Sequence, residues 1–222
     1  MSEILPIKQR ALGEKVASEL RRLIITGRYA PGTSLVEGHL AEQFDLSRGP
    51  IRDALKTLAS EGLIDTNRRS ATVVGLGGDD IDELFSLRGS LEQLALEIGL
   101  GRDRAGLTQG LRAPLEQMRR AREERDPDAF TTADVRFHSV FYDVAGHRRL
   151  ADVWAQYRPT IEVLLLASNE RYEDLGPSVR AHEILAGLVE SGEPEAVLDE
   201  LRGHLDNARL RLRAPYTQTA SH

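Results

Sequence analysis

The chain has 222 residues, of which 41% are hydrophobic, and carries a formal net charge of −6. This length suits two domains with hydrophobic cores of their own. The sequence contains no cysteine, which excludes disulfides and thiolate metal sites. No apolar segment follows a basic start, and the longest fully apolar run, 163–167, is far too short to span a bilayer. We therefore expect a soluble cytoplasmic protein that has no membrane partner.

The negative charge lies in the second part of the chain. Residues 1–75 contain 11 Lys or Arg and 9 Asp or Glu, a net charge of +2, whereas residues 76–222 contain 18 and 26, a net charge of −8. A small positive excess supports only modest nonspecific attraction to phosphates. Useful affinity for DNA would need two half-sites, and hence a dimer.

Residues 37–64 read as two short helices around a tight turn, followed by a strand. Each helix has one apolar stripe: Leu40, Ala41 and Phe44 in the first, and Ile51, Leu55, Leu58 and Ala59 in the second. Ser47 is placed to cap the second helix, which puts Arg48 and Arg52 in its first turns and on the same side. An arginine at the start of a helix that enters the major groove can bind guanine or phosphate. A small helical domain with ordinary surface arginines is the alternative.

The segments on both sides of these helices favour a DNA-reading unit. Upstream, an apolar stripe predicts a third helix over about 13–26, ended by Gly27 and by Pro31-Gly32. Downstream, residues 62–74 read as two short strands around a polar, basic turn at 67–70. This is the pattern of a wing.

One ordered set of residues runs through this whole segment: Pro31-Gly32, Leu35, Leu40-Ala41, Ser47-Arg48-Gly49-Pro50-Ile51-Arg52-Asp53-Ala54-Leu55, Leu58 and Glu61-Gly62-Leu63. The pattern resembles the GntR family of bacterial winged helix-turn-helix regulators. The resemblance implies DNA contacts from six residues: Ser47, Arg48, Gly49 and Arg52 in the recognition helix, and Arg68 and Arg69 in the wing. The chain departs from the family pattern at Gly49, where a residue with a side chain is usual, and at Ser70, where glycine is common.

A glycine-rich segment marks the expected domain boundary. We predict a winged helix-turn-helix domain over 1–75, a linker over 76–79, a second domain over 80–214, and a disordered tail over 215–222. Apolar positions in the second domain recur at three and four residues, with almost no strand signal. The predicted fold class is mainly α, with a small β-wing in the first domain and a C-terminal all-α bundle of about six helices. These helices are predicted near 80–100, 106–125, 127–145, 147–168, 175–191 and 194–213.

The first helix of the bundle contains a row of leucines that we expect to face the core. The inward residues are predicted to be Leu84, Leu87, Leu91, Leu94 and Ala95. At the start of a later helix, His147 is expected to act as a cap or to face solvent.

Four residues of the second domain are candidate metal ligands. Asp134 and His138 are four residues apart, so they project from one helix face as two ligands, or one hydrogen-bonded pair, would. His182 and His204 lie in later helical patterns, where each could equally be a packed core histidine.

This domain is similar to the ligand-binding domain of the FadR subgroup of GntR regulators, in which an Asp-x-x-x-His pair and two later histidines surround a divalent metal ion. The resemblance implies a site made by Asp134, His138, His182 and His204. Three imidazoles and one carboxylate favour zinc or nickel and are also compatible with manganese, iron or cobalt.

Arg88 and Asn169 are candidate effector-binding residues. Residues 87–95 resemble a family pattern, Arg-x-x-Leu-Glu-x-x-Ala, in which the arginine faces the cavity and binds an acid bidentately. The alternative for Arg88 is a surface arginine that bridges to Glu92 along the helix. Asn169 is expected near the mouth of the same site.

The resemblance implies a dimeric transcriptional regulator, usually a repressor, that binds an inverted repeat in double-stranded DNA and responds to a small organic acid at the metal. One alternative is a regulator for which the metal itself is the signal. Another is a metal-dependent enzyme. The sequence contains no His-Glu-x-x-His, no Gly-x-Ser-x-Gly and no phosphate-cradling glycine loop, which disfavours the enzyme.

Overall fold

The computed structural model describes residues 7–66, 70–191 and 193–217 and divides into two compact units, Met1–Leu76 and Gly77–His222. The mainly α fold class is confirmed. The elements are, in chain order, α1 (Ile7–Ile25), β1 (Ser34–Leu35), α2 (Glu37–Gln43), α3 (Arg48–Ser60), β2 (Ile64–Asp65), β3 (Ala71–Val73), α4 (Gly78–Glu124), α5 (Pro127–Ala145), α6 (Arg148–Asn169), α7 (Gly176–Ser191) and α8 (Pro194–Thr217). Across the described ranges, no helix combines the length and the apolar character that crossing a membrane requires.

The first unit is a three-helix group with a small antiparallel sheet. The strand order is β1-β3-β2, with Ser34 opposite Thr72 and Ile64 opposite Val73. The two strands of the predicted wing are present. Strand β1 was not predicted because two residues are too short to show an alternating pattern. Helix α1 begins six residues before its predicted start.

Helix α3 buries the apolar stripe that the sequence indicated. Its inward residues are Pro50, Ile51, Ala54, Leu55 and Leu58. Ser47 occupies the N-cap position with extended backbone (φ −70°, ψ 163°), but its side chain makes no capping hydrogen bond. The predicted position is therefore correct and the predicted cap is wrong. Because Ser47 is exposed, water can accept hydrogen bonds from the first backbone amides of the helix.

A buried ion pair joins α1 to the end of α3. Arg21 donates to both carboxylate oxygens of Glu61, from Nε at 2.7 Å and from Nη2 at 2.6 Å. The two side chains are only 5% and 2% exposed. The sequence pattern did not indicate this pair, which fixes α1 against the helix that carries the candidate DNA-binding residues.

The second unit contains the predicted bundle. The first two predicted helices form one long element, α4, which is interrupted at Asp103, where the backbone is not helical (φ −157°, ψ 76°). Asp103 accepts a hydrogen bond from the Gly106 amide at 2.8 Å, so its side chain restarts the helix.

The cap predicted at His147 is confirmed, since its ring accepts a hydrogen bond from the Leu150 amide at 3.3 Å. Helix α8 continues to Thr217, beyond the predicted domain end, and residues 218–222 lie outside the described part of the chain.

The prediction that the leucines of α4 face the core is wrong. Leu87 and Leu94 are 36% and 44% exposed, and Leu84 and Leu91 are only half-buried. The core-facing residues of this segment are instead Ile81, Phe85, Arg88, Glu92, Ala95, Leu96 and Gly99. The assumption that the most apolar face points inward failed because the inward face contains an ion pair.

Candidate metal centre and nucleic-acid interface

The exposed side of α3 presents a row of cations. Arg48 and Arg52 are exposed, one turn apart, and Lys56 continues the row by one more turn. These three side chains line a cavity of about 710 Å³ together with Val36, Thr66 and others from β1 and the base of the wing. A surface of this kind suits the phosphates and base edges of DNA.

The two arginines of this surface differ in how they are held. Nη2 of Arg52 lies 3.4 Å from a carboxylate oxygen of Glu37, at the start of α2. Arg48 has no ion-pair partner among the described residues, so its donors are available to a ligand. Ser47 is exposed and Gly49 is half-buried at the same end of the helix.

The predicted wing contacts, Arg68 and Arg69, lie outside the described residues. Ser70, where the family pattern favours glycine, is described. Its hydroxyl is 2.8 Å from the hydroxyl of Ser34 in β1. This residue therefore ties the base of the wing to the neighbouring strand.

In the second unit, three helices bring the four candidate metal ligands together. Asp134 and His138 come from α5, His182 from α7 and His204 from α8, and all four are buried. Nε2 of His138 is 3.3 Å from Nε2 of His204 and 3.6 Å from a carboxylate oxygen of Asp134. The other oxygen of Asp134 is 3.7 Å from Nε2 of His182. The histidines offer ligand atoms that all lie within 4.8 Å of one another, an arrangement that could hold a metal ion.

Hydrogen bonds on the far side of two rings set their tautomers. Nδ1 of His138 is 2.7 Å from a carboxylate oxygen of Glu92, and Nδ1 of His182 is 2.8 Å from the backbone carbonyl of Ser178. Both partners are acceptors, so both Nδ1 atoms carry the proton. The Nε2 lone pairs of these two rings are therefore directed at the common point between the four side chains.

The electrostatics of the cluster favour charged carboxylates and the neutral forms of His138 and His204. Burial opposes ionisation of Glu92 and Asp134, but neighbouring Arg88 and histidines hold the pKa of each below its ordinary value. Burial lowers the pKa of His138, and it lowers the pKa of His204 strongly, with help from the adjacent histidines. Neutral imidazole and carboxylate are the forms that bind metal ions.

Arg88 makes the bridge to Glu92 that the alternative interpretation gave it, but it is not a surface residue, and its contact with an acid stays a prediction. Its Nε lies 2.6 Å from the carboxylate, and its side chain is 2% exposed. Its guanidinium carbon lies 5.4 Å from the centre of the Phe85 ring and 5.9 Å from that of Trp154. The described residues accept no hydrogen bond from its two terminal amino groups, which leaves them available to an anion.

Asn169, the last residue of α6, is buried next to the start of α5. Its Nδ2 donates to the Thr131 hydroxyl at 3.0 Å, and Thr131 lies one turn before Asp134 on the same side of α5. No hydrogen bond in the described ranges joins Asn169 to the four candidate ligands. It also borders a cavity of about 570 Å³ beside the α6–α7 loop.

Sequence reasoning missed the role of Glu92 at the centre of this arrangement. Glu92 is fully buried and connects Arg88 to His138. A signal was present, because Arg88 and Glu92 share one helical stripe with Phe85 and Ala95. The leucine row on the other side of the helix is more apolar, so the sequence pattern favoured that row as the buried face.

A winged helix-turn-helix unit with exposed cations on its recognition helix, followed by an all-helical unit with a buried polar cluster, defines a DNA-binding transcriptional regulator. The sequence comparisons agree. Residues 12–74 match the model of the bacterial regulatory proteins of the gntR family, and residues 83–207 match the FCD domain. The chain belongs to the GntR family, and its second unit is an FCD domain. It is a regulator and not an enzyme.

Several known proteins are similar to this chain over most of their length. The gluconate operon transcriptional repressors of Bacillus licheniformis and Bacillus subtilis are 33% and 31% identical, each over 91% of this chain and 86% of the relative. Among solved structures, the E. coli protein McbR/YncC has a TM-score of 0.72 at 22% identity and covers 92% of this chain and 98% of its own. A GntR regulator of Rhodococcus sp. RHA1 has a TM-score of 0.70 at 23% identity, with 93% and 99% covered. These structures support the fold.

Proposed function

We propose that the protein is a homodimeric repressor of the FadR subgroup that acts in the cytoplasm. Its affinity for a palindromic operator would be modulated by a small carboxylate bound beside a divalent metal ion in the helical unit. The observation that carries this proposal is the buried histidine cluster and the unpaired nitrogen within it.

That unpaired nitrogen is Nε2 of His182. It is buried and has no hydrogen-bond partner among the described residues. Leaving a buried acceptor unpaired costs about 1–3 kcal/mol, so such atoms usually have a function. A metal ion would remove the cost, because the nitrogen presents a lone pair to the centre of the cluster.

The donor set fits a divalent metal ion. Asp134, His138, His182 and His204 would hold it, and three imidazoles with one carboxylate favour zinc or nickel over manganese, iron or cobalt. When bound, the ion supplies open positions to which the oxygens of a small acid can bind. Around it, Glu92 and the Ser178 carbonyl orient two of the rings.

The relatives suggest which acid to test first. Two of them are named as repressors of the gluconate operon, and a 26% identical protein of Paenarthrobacter nicotinovorans as a probable repressor of a D-xylose utilization operon. We therefore propose a hydroxylated carboxylate such as gluconate. Arg88 would pair with its carboxylate, and Asn169 would contact the end of the molecule nearest Thr131.

The DNA-binding surface is proposed to comprise Ser47, Arg48, Gly49 and Arg52 of the recognition helix, with Arg68 and Arg69 of the wing. The row of exposed cations on α3 supports it. Two copies of this surface would bind successive major grooves, one helical turn apart. A change in their separation on effector binding would then be enough to alter operator affinity.

The dimer is proposed to form through the outward face of α4. This face carries hydrophobic residues at the alternating spacing of three and four that two packed helices share: Leu84, Leu87, Leu91, Leu94 and Ile98. A second copy is the natural partner because a two-fold interface uses the same patch on both subunits. A palindromic operator requires that same symmetry.

Thermal unfolding tests the effector proposal directly. The protein is loaded with zinc or stripped with a chelator, and the Tm is measured with gluconate, lactate or succinate. An acid that stabilises only the zinc-loaded protein is the expected result, because a ligand that binds only the folded state raises its Tm. If zinc alone raises the Tm and no acid adds to it, the metal itself is the signal. If neither has an effect, the metal and effector proposals both fail.

A further inference from the structure

We infer that Tyr142 is an effector-recognising residue whose hydroxyl donates a hydrogen bond to a hydroxyl oxygen of the bound acid, beside the guanidinium of Arg88. This inference rests on the proposed function. It adds a polar contact that would distinguish a hydroxylated acid from a plain one.

Tyr142 continues the line of candidate ligands along α5. Asp134, His138 and Tyr142 are spaced by four residues, so their side chains project from successive turns of one helix face. Tyr142 is only 2% exposed. Its hydroxyl oxygen is buried and has no hydrogen-bond partner among the described residues. An unpaired, buried hydroxyl therefore lies one turn beyond His138.

The tyrosine ring is held in place by its neighbours. It stacks on Trp154, with ring centroids 5.0 Å apart and an interplanar angle of 5°. Trp154 is fixed in turn, because its Nε1 donates to the Ser139 hydroxyl at 3.0 Å. The guanidinium carbon of Arg88 lies 5.9 Å from the centre of this same indole. Trp154 therefore lies next to both the Tyr142 ring and the Arg88 guanidinium.

The hydroxyl is a donor at neutral pH. Burial raises the pKa of Tyr142, and the carboxylate of Glu92 raises it further, so the phenol keeps its proton. The described residues accept no hydrogen bond from the terminal amino groups of Arg88. A phenol and a guanidinium, both with free donors, suit an anion that also carries hydroxyl groups.

A purely structural role does not account for this hydroxyl. Helix α5 uses phenylalanine at its other buried aromatic positions, namely Phe130, Phe137 and Phe141. A phenylalanine at position 142 could make the same stack on Trp154 without burying an unpaired polar group. Buried polar groups in native proteins nearly always have a partner, so the hydroxyl implies one that the described residues do not supply.

The Tyr142→Phe variant tests the inference, with Tyr157→Phe on the half-exposed part of α6 as the matched control. Three quantities are compared: the Tm of the ligand-free protein, the affinity for zinc, and the affinity of the zinc-loaded protein for gluconate, lactate and succinate. We expect Tyr142→Phe to keep or raise the ligand-free Tm, because the variant removes an unpaired buried hydroxyl, and to keep the zinc affinity. It should weaken binding of a hydroxylated acid about tenfold or more, whereas Tyr157→Phe should change none of the three.

Two results overturn the inference and separate it from the proposed function. If the wild type binds an acid and Tyr142→Phe binds it equally well, Tyr142 is not a recognition residue and the effector proposal stands. A lower Tm for ligand-free Tyr142→Phe at unchanged acid affinity would likewise assign the hydroxyl a structural partner. If the wild type binds none of the three acids, the effector proposal fails and the role of Tyr142 fails with it.

Discussion

Glu92 and His138 are 46 positions apart in the chain, yet a 2.7 Å hydrogen bond joins Oε2 of Glu92 to Nδ1 of His138, and both side chains are fully buried. The bond keeps the proton of His138 on Nδ1. The opposite nitrogen is then free to face the cluster. Helix α4 contributes no candidate ligand, but its Glu92 therefore sets the tautomer of His138, a candidate ligand on α5.

Replacing Glu92 by glutamine tests this relationship. The amide keeps the size of the side chain but removes the negative charge that fixes and polarises the ring. We expect Glu92→Gln to lower zinc affinity by about 10–100-fold, the usual effect of losing such a partner. Competition with a chromogenic chelator measures it. Glu97→Gln, an exposed position on the same helix, is the control and should bind zinc normally. Equal affinities for both variants would refute the role of Glu92.

The metal-free protein is expected to lose stability as pH falls from 7 to 5. Burial lowers the pKa of His138 and His204 in the folded state, whereas an unfolded histidine titrates near 6.5. The unfolded chain therefore binds more protons below about pH 6.5, and protonation favours unfolding. Urea unfolding across this range gives the free energy at each pH. His204→Gln should flatten the dependence, whereas the exposed His39→Asn should leave it unchanged.

The stability of the DNA-binding unit is expected to depend on the ion pair between Arg21 and Glu61. Removing one partner leaves the other charge buried and uncompensated, so Glu61→Gln should lower the free energy of unfolding by about 3–5 kcal/mol. Glu19→Gln removes the partner of Arg22 in a half-exposed pair and should cost less than about 1 kcal/mol. Chemical denaturation compares the two variants. Similar losses would show that burial of the first pair does not matter.

Self-association is expected to depend on the leucine face of α4. A charge at Leu94, which is 44% exposed, would lie in the proposed interface, so Leu94→Glu should convert the dimer to a monomer. The control is Ile184→Glu on α7, where the side chain is 54% exposed and lies outside that face. Sedimentation equilibrium distinguishes the two states. A dimeric Leu94→Glu protein, or a wild type that is monomeric at micromolar concentration, would contradict the proposed interface.

The sequence predicted those parts of the molecule in which polarity and burial agree. The stripe of α3 shows this, because Ile51 and Leu58 are buried while Arg48 and Arg52 are exposed. Helix α4 shows the opposite case. An arginine and a glutamate occupy its core face, and no local pattern reveals that a histidine from another helix will pair with them.

Other contacts were hidden for a related reason. The stack of Tyr142 on Trp154 and the pair between Arg21 and Glu61 join residues from different helices. Periodicity describes one helix at a time and does not identify the neighbour that its buried face will meet. The four candidate ligands were identified through resemblance to a family, and their convergence became visible only in three dimensions.

We propose that metal and acid together control DNA affinity. The direct test is fluorescence anisotropy with an operator that the protein selects from random double-stranded DNA. The Kd is measured without additions, with zinc, and with zinc plus gluconate, for the wild type and for His204→Gln. Arg48→Ala is the control for the DNA surface and should weaken binding by about 1–3 kcal/mol, whereas the exposed Arg28→Ala should not.

We predict that gluconate changes the Kd of the zinc-loaded wild type by about fivefold or more and leaves that of His204→Gln unaltered. If the protein binds its selected operator tightly but its Kd is the same in all three conditions, metal and acid do not control DNA affinity.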